Sequence, residues 1–454
     1  MRSTESLDGK RHAARSSAAA CLCAVALSGC ALYHPRPLQP AKPADATTLA
    51  QAASQIMAPR LAPLPIPPQG PWNDLQLADI AIISSPDLQA LRAQADVSDA
   101  QVFAAGLLPD PQIGIGVDDP DGSGVVKAFT LSAGFDIAAL LTRRSRVAAA
   151  RANAEQIHRD IAWQEWLAAN QVRLLARRYQ YLERQHDIAA HAADAAEKLL
   201  TLTQNAVDAH NARLDDLALR RVAVLDARAR EGQLARDAEA ARLQLNQSVG
   251  VVPGTRLPLA DVTALHDPSA LDAAALEKQA LTQRLDLAAL RAGYVSQEAQ
   301  VRGEILQQYP LPSISVARAR DTTPVYTKGA SVNFSLPLWN RNRGGIAVAD
   351  ATREQLHAEY AARAFDAQAS IAAQVEALKQ LAAQRTQLDV QLDKLRAEMQ
   401  PLEQAAQRRD VALVTFETAR ATLLDKEIAS LALAQAQSEG EVALAIDVGG
   451  LIWH

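Results

Sequence analysis

The chain carries the same sequence pattern twice, at a constant offset of 199 residues. Each copy is therefore one large structural unit, far longer than the roughly 20 to 50 residues of a stacked solenoid repeat. We assign the first copy to residues 72–252 and the second to residues 253–454, and we expect two halves in equivalent positions. Matching residues include Phe135 and Phe334, Asn211 and Asp410, Leu225 and Leu424, and Gly250 and Gly449.

The first 29 residues have the pattern of an export signal. Lys10, Arg11 and Arg15 precede an apolar run at 18–27, and small residues follow. The run Leu27-Ser28-Gly29-Cys30 resembles the lipobox of bacterial lipoproteins, in which the cysteine is acylated and becomes the first mature residue. We therefore predict a lipoprotein signal peptide at 1–29 and lipidation of Cys30. An ordinary signal peptide followed by a chance cysteine is the alternative.

Residues 30–71 are rich in proline and alanine, which is typical of an extended linker. This linker would carry the lipidated Cys30. Ala31 follows the cysteine, so the aspartate that holds a lipoprotein in the inner membrane is absent. The resemblance to lipoproteins therefore implies the outer membrane.

Charge and hydropathy exclude other classes of protein. The net charge is −5, and removal of a signal peptide with four basic and two acidic residues makes it −7. A mildly acidic chain without basic runs is a poor nucleic-acid binder. No apolar stretch of about 18 residues follows the signal, so we predict no transmembrane helix. No cysteine other than Cys30 remains for a disulfide or a thiolate metal site.

The sequence offers no catalytic or metal-binding constellation. His186 and His191 stand on different faces of a helix, without a cysteine or carboxylate at ligand spacing. No nucleophile elbow presents a serine, and Gly344-Gly345 lacks the lysine of a phosphate loop. We therefore predict no cofactor, no metal and no enzyme activity.

Two pairs of long helices are predicted. Between Pro120 and Pro253 the chain contains no proline and is rich in alanine, leucine, arginine, glutamine and glutamate, all strong helix formers. The predicted helices are 142–209 and 214–249 in the first copy, and 343–408 and 411–447 in the second. Apolar residues at a three-four spacing in the second copy indicate side-by-side packing, as in a coiled coil.

Ahead of each helical pair, two segments alternate between apolar and polar residues, which predicts half-buried strands. The first copy has 112–118 and 129–136, and the second has 313–316 and 330–336. Such a distribution suits a membrane β-barrel, with lipid outside and water inside. The predicted polar face has Thr130, Ser132, Ser331, Asn333 and Ser335, and the predicted apolar face has Leu131, Phe135, Val332, Phe334 and Leu336. Four strands cannot close a barrel, so the chain is expected to oligomerise.

This combination resembles the TolC-like outer membrane factor family over nearly the whole mature chain. Trp72, the run Ala105-Gly106-Leu107-Leu108-Pro109 and the run Leu336-Pro337-Leu338-Trp339-Asn340-Arg341-Asn342 carry the resemblance. Both runs are similar to the heavy-metal (CzcC-like) branch of RND efflux systems, and the second run is the more specific.

The resemblance implies a fold that is mainly α with membrane β. Three protomers would contribute four strands each to a 12-stranded β-barrel, and their long hairpins would form an α-barrel across the periplasm. Such a homotrimer is the exit duct of a tripartite efflux pump for metal cations or drugs. Its partners would be a periplasmic adaptor, an inner-membrane transporter of the RND type, and outer-membrane lipid. A type I secretion duct and a non-transporting coiled-coil structural lipoprotein are the alternatives.

The turns between the long helices differ from the family pattern. Where family members commonly place glycine, this chain has His210-Asn211 and Arg409-Asp410. We expect Asn211 and Asp410 to adopt the left-handed conformation, which these residue types tolerate. Pro401 has no counterpart in the first copy and should kink or interrupt its helix.

The same turns supply the candidate site residues. Carboxylates near the mouth of a trimer would form rings that arginines could hold shut. Leu214 and Leu413 resemble the apolar tip residue by which the family docks to its adaptor. The candidate gate consists of Asp215, Asp216, Asp410, Arg213 and Arg409, with Arg408 as a further partner.

Overall fold

The computed structural model describes residues 33–38, 70–122 and 124–453. The chain divides into two units, Met1–Lys42 and Pro43–His454. Residues 33–38 are exposed and have no regular secondary structure. The predicted signal peptide and Cys30 lie outside the described residues.

The second unit is mainly helical, with one four-stranded sheet. Its order of two shorter helices, two strands and two longer helices occurs twice, and the last helices of each group begin 199 residues apart. The helices are α1 (Asp74–Ser84), α2 (Pro86–Gly106), α3 (Ile137–Asp208), α4 (Leu214–Val249), α5 (Ala273–Gln283), α6 (Leu285–Leu306), α7 (Arg343–Gln407) and α8 (Leu413–Val448). The strands are β1 (Gln112–Asp118), β2 (Ala128–Asp136), β3 (Pro312–Arg320) and β4 (Tyr326–Phe334).

Helix α3 has 72 residues, about 108 Å at 1.5 Å per residue. It begins at Ile137, five residues before the predicted start, because Asp136 at the end of β2 caps it. The Asp136 carboxylate accepts hydrogen bonds from the amides of Ala138 and Ala139, at 2.9 and 3.4 Å. Strand and helix are therefore joined without a loop, so the direction of β2 fixes the start of the long helix.

Two hydrophobic clusters hold the shorter helices against the longer ones. The first packs α1 against α3 and α4, and the second packs α5 against α7 and α8. Residues of the two clusters stand 199 positions apart, as in the pairs Leu77 and Leu276, Ala81 and Ala280, Val172 and Ile371, Leu245 and Leu444, and Val249 and Val448. Equivalent positions of the two halves thus build equivalent cores.

Glycines end α4 and α8 in the left-handed conformation. Gly250 has φ +83° and Gly449 has φ +78°. A Cβ on Gly449 would also come within 3.0 Å of Arg284 Cγ and 3.1 Å of Arg284 Cα. Glycine is required here by the backbone angle and by the close approach of α6.

Helix α7 continues through Pro401 to Gln407, so of the two predicted outcomes, a kink or an interruption, the interruption is wrong. Proline removes one backbone donor and costs about 3 kcal/mol in a helix interior. The remaining turns keep their hydrogen bonds, and α7 packs along α8. Packing against the neighbouring helix therefore outweighs the local preference of one residue.

The sheet is antiparallel in the order β1-β2-β3-β4. Strand β3 is longer than predicted, and β4 runs over Tyr326–Phe334. The predicted strand residues Ser335 and Leu336 therefore lie beyond β4. The predicted strand was too long because the alternation of apolar and polar residues continues into the connection to α7. The strand itself ends at Phe334, which pairs with Pro312, the first residue of β3.

Candidate functional site

One face of the sheet carries only polar and small residues. Thr130 and Ser132 on β2 share this face with Ser331 and Asn333 on β4, as the register requires. The hydroxyls of Ser315 and Ser331 lie 2.7 Å apart and hydrogen-bond across β3 and β4. A face of hydroxyl and amide groups is suited to contact with water.

The opposite face is apolar and exposed. Ile113 and Ile115 on β1 are 72% and 70% exposed, and Val332 and Phe334 on β4 are 60% and 55% exposed. A soluble protein rarely leaves a contiguous apolar patch of this kind uncovered. The two faces have the polarity expected of a barrel wall with water on one side and hydrocarbon on the other.

The sheet has two unpaired edges. Strand β1 pairs only with β2, and β4 pairs only with β3, among the residues that the structure describes. Exposed apolar side chains also follow the outer faces of two long helices. On α4 these are Leu214, Leu219, Val222 and Leu225, between 55% and 74% exposed, and on α7 they are Val348 and Phe365, each 69% exposed.

The turns of the two long hairpins share one backbone conformation. We name each turn, together with the first residues of the helix that follows it, the first tip (209–216) and the second tip (408–415). His210 and Arg409 have φ +59° and +67°. The expectation that Asn211 and Asp410 take the left-handed conformation is therefore wrong by one residue.

The hydrogen bonds of the first tip explain that position. The amide of Asn211 donates to the carbonyl of Ala206 at 2.7 Å, and the amide of His210 donates to Val207 at 2.9 Å. This is the Schellman pattern, in which the residue before the outermost donor is left-handed. The second tip has the same pair of bonds, from Asp410 to Ala405 and from Arg409 to Ala406.

The predicted gate residues form pairs within each tip. Arg213 Nε lies 3.0 Å from Asp215 Oδ1, and Arg408 Nε lies 3.4 Å from Asp410 Oδ2. All four side chains are more than 60% exposed. Asp216 and Arg409 have no ion pair within the described part of the chain. Within one protomer, therefore, no described ion pair joins the first tip to the second.

The predicted docking residues stand at matching places. Leu214 and Leu413 are the first residues of α4 and α8. Their exposures are 74% and 42%. Each leucine thus presents an apolar side chain beside a polar turn.

Ion pairs between the two hairpins were not predicted from the sequence. Arg178 on α3 makes two hydrogen bonds to Glu439 on α8, at 2.8 and 2.6 Å. Burial favours the neutral acid, but hydrogen bonds from Arg178 and Gln435 outweigh it and hold the pKa of Glu439 below its usual value. Nearer the tips, Arg230 on α4 lies 2.6 Å from Asp425 on α8.

A buried charge network anchors α1 to the same helices. Asp74 Oδ2 accepts from Arg173 Nε at 3.2 Å and from Arg177 Nε at 2.9 Å. Arg177 also reaches Glu441 on α8, at 3.5 Å. All four side chains are at most 10% exposed. Removal of one partner would leave a buried charge uncompensated.

Asp79 on α1 is a carboxyl group in an unfavourable environment. Burial raises the pKa of Asp79 to about 6, from a usual value of 3.8. The charged form is disfavoured because the surroundings are less polar than water. At neutral pH this residue therefore weakens the fold.

The connection from β4 to α7 is held by one asparagine. Asn342, at φ +51°, donates from Nδ2 to the backbone oxygen of Glu304 at 2.9 Å and to its carboxylate at 2.6 Å. Gly345 lies against the same carboxylate, where a Cβ would clash. This contact ties the start of α7 to the end of α6, and it gives a structural role to Asn342, the last residue of the run that carries the resemblance.

Membrane-spanning helices and metal-binding clusters are both absent from the described residues. No helix within 70–122 or 124–453 combines the length and the apolar character needed to cross a membrane. The described residues contain no group of three or more His, Cys, Asp or Glu side chains arranged to hold a metal ion. His186 lies 3.6 Å from Asp187, and that contact is a single exposed pair.

The chain matches no family model and no curated protein. Its architecture, however, matches solved outer membrane channels. The Campylobacter jejuni CmeC outer membrane channel superposes with a TM-score of 0.70 at 13% identity, covering 83% of this chain and 86% of that one. The outer membrane protein VceC from Vibrio cholerae gives 0.67 at 17% identity, covering 82% and 95%. CusC, a protein that folds into a transmembrane channel, gives 0.68 at 16% identity, covering 83% and 92%.

At these identities the likeness establishes the fold. The chain has the architecture of TolC-like outer membrane channels, a mainly helical body with a four-stranded sheet. The expectation of a mainly helical fold with four strands per protomer is therefore confirmed.

Proposed function

We propose that this protein is the outer-membrane exit duct of a tripartite efflux pump for metal cations or drugs. The single observation that carries the proposal is the sheet, which has one hydroxyl-rich face, one exposed apolar face and two unpaired edges. Hydrocarbon tolerates a sheet only when every backbone group is paired, so the edges must be closed by other copies. The likeness to outer membrane channels supports the same conclusion.

Closure by three copies would cover both the unpaired edges of the sheet and the exposed apolar side chains of α4 and α7. Strand β4 of one protomer would pair with β1 of the next, giving a 12-stranded barrel with the polar face inside. The apolar faces of α4 and α7 would meet in the same ring and form a helical barrel. The internal repeat, with copies at 72–252 and 253–454, would make the six hairpins of this ring nearly equivalent.

Assembly and conduction test this function directly. The purified full-length protein should run as a trimer on unheated detergent gels, change to a monomer on boiling, and form ion-conducting channels in planar bilayers. A protein that remains monomeric and never conducts would instead favour the structural-lipoprotein alternative. Deletion of the gene should raise sensitivity to a metal or a drug, and loss of one secreted protein without such sensitivity would point to type I secretion.

The gate would lie at the tips. In a trimer, Asp215, Asp216 and Asp410 would form carboxylate rings, with Arg213 and Arg409 as their partners. Exposed pairs of this kind are individually weak, but threefold repetition adds their effects. Asp410→Ala combined with Asp216→Ala should raise single-channel conductance. Unchanged conductance at both low and high salt would remove these residues from the gate.

Leu214 and Leu413 would dock a periplasmic adaptor, which in turn joins an inner-membrane transporter of the RND type. Their exposure at matching places on the two tips supports this role. Alanine at both positions should lower resistance while leaving the trimer intact. Cysteines at these positions that crosslink to no adaptor in cells would count against docking.

The N-terminal region would anchor the protein. Residues 1–29 would be removed, Cys30 would be acylated, and the linker 30–71 would connect it to the channel in the outer membrane. Mass spectrometry of the mature protein should find a lipid-modified Cys30 at the N-terminus. An unmodified N-terminus at another residue would refute the lipid anchor without affecting the channel.

A further inference from the structure

Three cations lie on the otherwise apolar face of the sheet, at the end farthest from the long helices. Arg318 and Arg320 on β3 and Lys328 on β4 form this group, which we name the basic cluster. Arg318 pairs with Leu131 on β2, and Ile314 and Val316 precede it on the same face of β3. The basic cluster therefore lies in the last two rows of this face, where Val117, Phe129 and Tyr326 are its apolar neighbours.

The cluster places like charges at opposed positions of two paired strands. Arg318 and Lys328 are directly opposite each other in the β3–β4 register, and both are exposed. Like charges at opposed positions destabilise a sheet. Neither side chain forms an ion pair within 70–122 or 124–453. An anion between them would convert this repulsion into attraction.

The nearest carboxylates are already engaged. Asp119 lies 2.6 Å from Lys127. Asp321 accepts hydrogen bonds from the amides of Thr323 and Val325, at 2.8 and 3.0 Å. In the proposed trimer, the β1 residues on this face of the next copy would be Ile113, Ile115 and Val117, which carry no charge. Within 70–122 and 124–453, therefore, no carboxylate forms an ion pair with Arg318, Arg320 or Lys328.

The surroundings suit a lipid headgroup. The Arg318 guanidinium lies 5.8 Å from the ring centre of Tyr326, an exposed aromatic of the kind found at membrane interfaces. Arg320 donates to the backbone oxygen of Lys127 at 2.8 Å and its Nε is buried, so the donors that face outward are those of the exposed Arg318 and Lys328. The cluster therefore offers donors as well as charge.

A shallow depression adjoins the two exposed cations. Its volume is about 610 Å³, and it is lined by Ile113, Leu131 and Val316 together with Arg318, Lys328 and small residues of the same strands. Apolar lining next to two cations matches a molecule with an acyl chain and an anionic head. A soluble anion would use the charge but not the apolar surface.

We infer that the basic cluster binds the phosphate-bearing headgroup of a lipid in the outer leaflet of the membrane, with an acyl chain against the depression. This inference rests on the proposed channel function, because it requires the apolar face to meet lipid. Arginine and lysine would contact the phosphate oxygens by charge-assisted hydrogen bonds. The bound lipid would fix the depth of the barrel in the membrane.

Native mass spectrometry of the detergent-purified full-length protein, with lipid A as the phosphorylated probe and phosphatidylcholine as the neutral one, tests the inference. The wild type should retain lipid A in preference to phosphatidylcholine. The double variant R318Q/K328Q should retain at least tenfold less lipid A. The charge-preserving variant R318K/K328R should bind as the wild type does.

A matched control removes the same charge elsewhere. Lys198 on α3 and Lys278 on α5 are exposed and form no described ion pair, and K198Q/K278Q should leave lipid A retention unchanged. Equal loss in this control would show general electrostatic attraction and overturn the inference. Undiminished retention in R318Q/K328Q would overturn it as well. Displacement of lipid A by sodium phosphate would indicate a site for free anions and not for lipid.

Assembly is followed separately. Trimers on unheated gels and flotation with vesicles report on the channel, whereas lipid A retention reports on the basic cluster, so the two failures are distinguishable. Should R318Q/K328Q not assemble, Lys328→Gln alone on the edge strand carries the same comparison. Retention equal to the wild type in that variant would also overturn the inference.

Discussion

Arginine at two adjacent residues of β4 should have very different effects on assembly. Val332 lies on the apolar face, and Ser331 lies on the polar face. Val332 is four residues from Lys328, about 13 Å along the strand at 3.3 Å per residue. A strand tilt of about 40° reduces this to about 10 Å in depth. Val332 therefore lies near the middle of an apolar band about 25 Å tall.

Depth sets the magnitude of the effect. An arginine near the midplane costs about 2 to 4 kcal/mol per protomer. Ser331→Arg faces water and loses the hydrogen bond to Ser315, worth about 1 kcal/mol. The difference of about 2 kcal/mol is roughly a thirtyfold change in the folding equilibrium of each protomer. Leu131 is a weaker probe, because it pairs with Arg318 and so stands at the level of the cations.

Refolding into phosphatidylcholine vesicles during a urea titration measures the effect, with the unheated trimer band as the readout. Val332→Arg should shift the midpoint to lower urea or abolish the band, and Ser331→Arg should shift it slightly. Equal losses in the two variants would refute the assignment of the faces. A larger loss for Ser331→Arg would reverse it.

Three further changes test the helical region, each followed by urea unfolding and circular dichroism. Asp74→Ala removes the only described ion pair of the buried Arg173 and leaves Arg177 with its 3.5 Å contact to Glu441. It should cost about 3 to 5 kcal/mol, whereas alanine at the exposed Asp87 should cost little. Equal effects of the two substitutions would contradict the network. Asp79 contributes stability below pH 4 that is lost as the pH rises through about 6. The pKa shift of Asp79 corresponds to a stability difference of about 3 kcal/mol between its protonated and charged forms. Because the side chain is partly exposed, solvent screening reduces this difference to about 1 kcal/mol. Asp79→Asn should therefore raise the free energy of unfolding by about 1 kcal/mol at pH 7.5 and flatten its dependence on pH. If the stability of the variant changed with pH in parallel with that of the wild type, the role of Asp79 would be disproved. Gly449→Ala places an alanine in the left-handed conformation against Arg284 and should lower the free energy of unfolding by about 1 to 2 kcal/mol or more. An unchanged midpoint of urea unfolding would show that the turn can relax.

Much of the fold could be predicted because the spacing of apolar and polar residues along each segment indicates its secondary structure. Long stretches of strong helix formers predicted α3, α4, α7 and α8 within a few residues. Alternation predicted all four strands and the polarity of their two faces. The offset of 199 residues anticipated two groups of elements with equivalent cores.

Predictions from local patterns were wrong where hydrogen bonds or packing beyond the local pattern decide where an element ends or which residue of a turn is left-handed. Alternation ran past the end of β4, because the strand stops where its partner β3 begins. The left-handed residues are His210 and Arg409, since the closing bonds of each tip select the residue before the asparagine or aspartate. Pro401 did not end its helix because neighbouring turns and packing outweigh one missing donor.

The sequence by itself determined the kind of surface each element presents, because polarity along a helix or strand depends only on its own period. Only the tertiary structure decided which charges meet. Arg178 and Glu439 are 261 residues apart, and nothing in their local sequence indicates the pair. Arg318 and Lys328 are ordinary members of two strands until the register sets them side by side. Ion pairing falls off within a few ångströms, so it depends on distances that the folded chain alone creates.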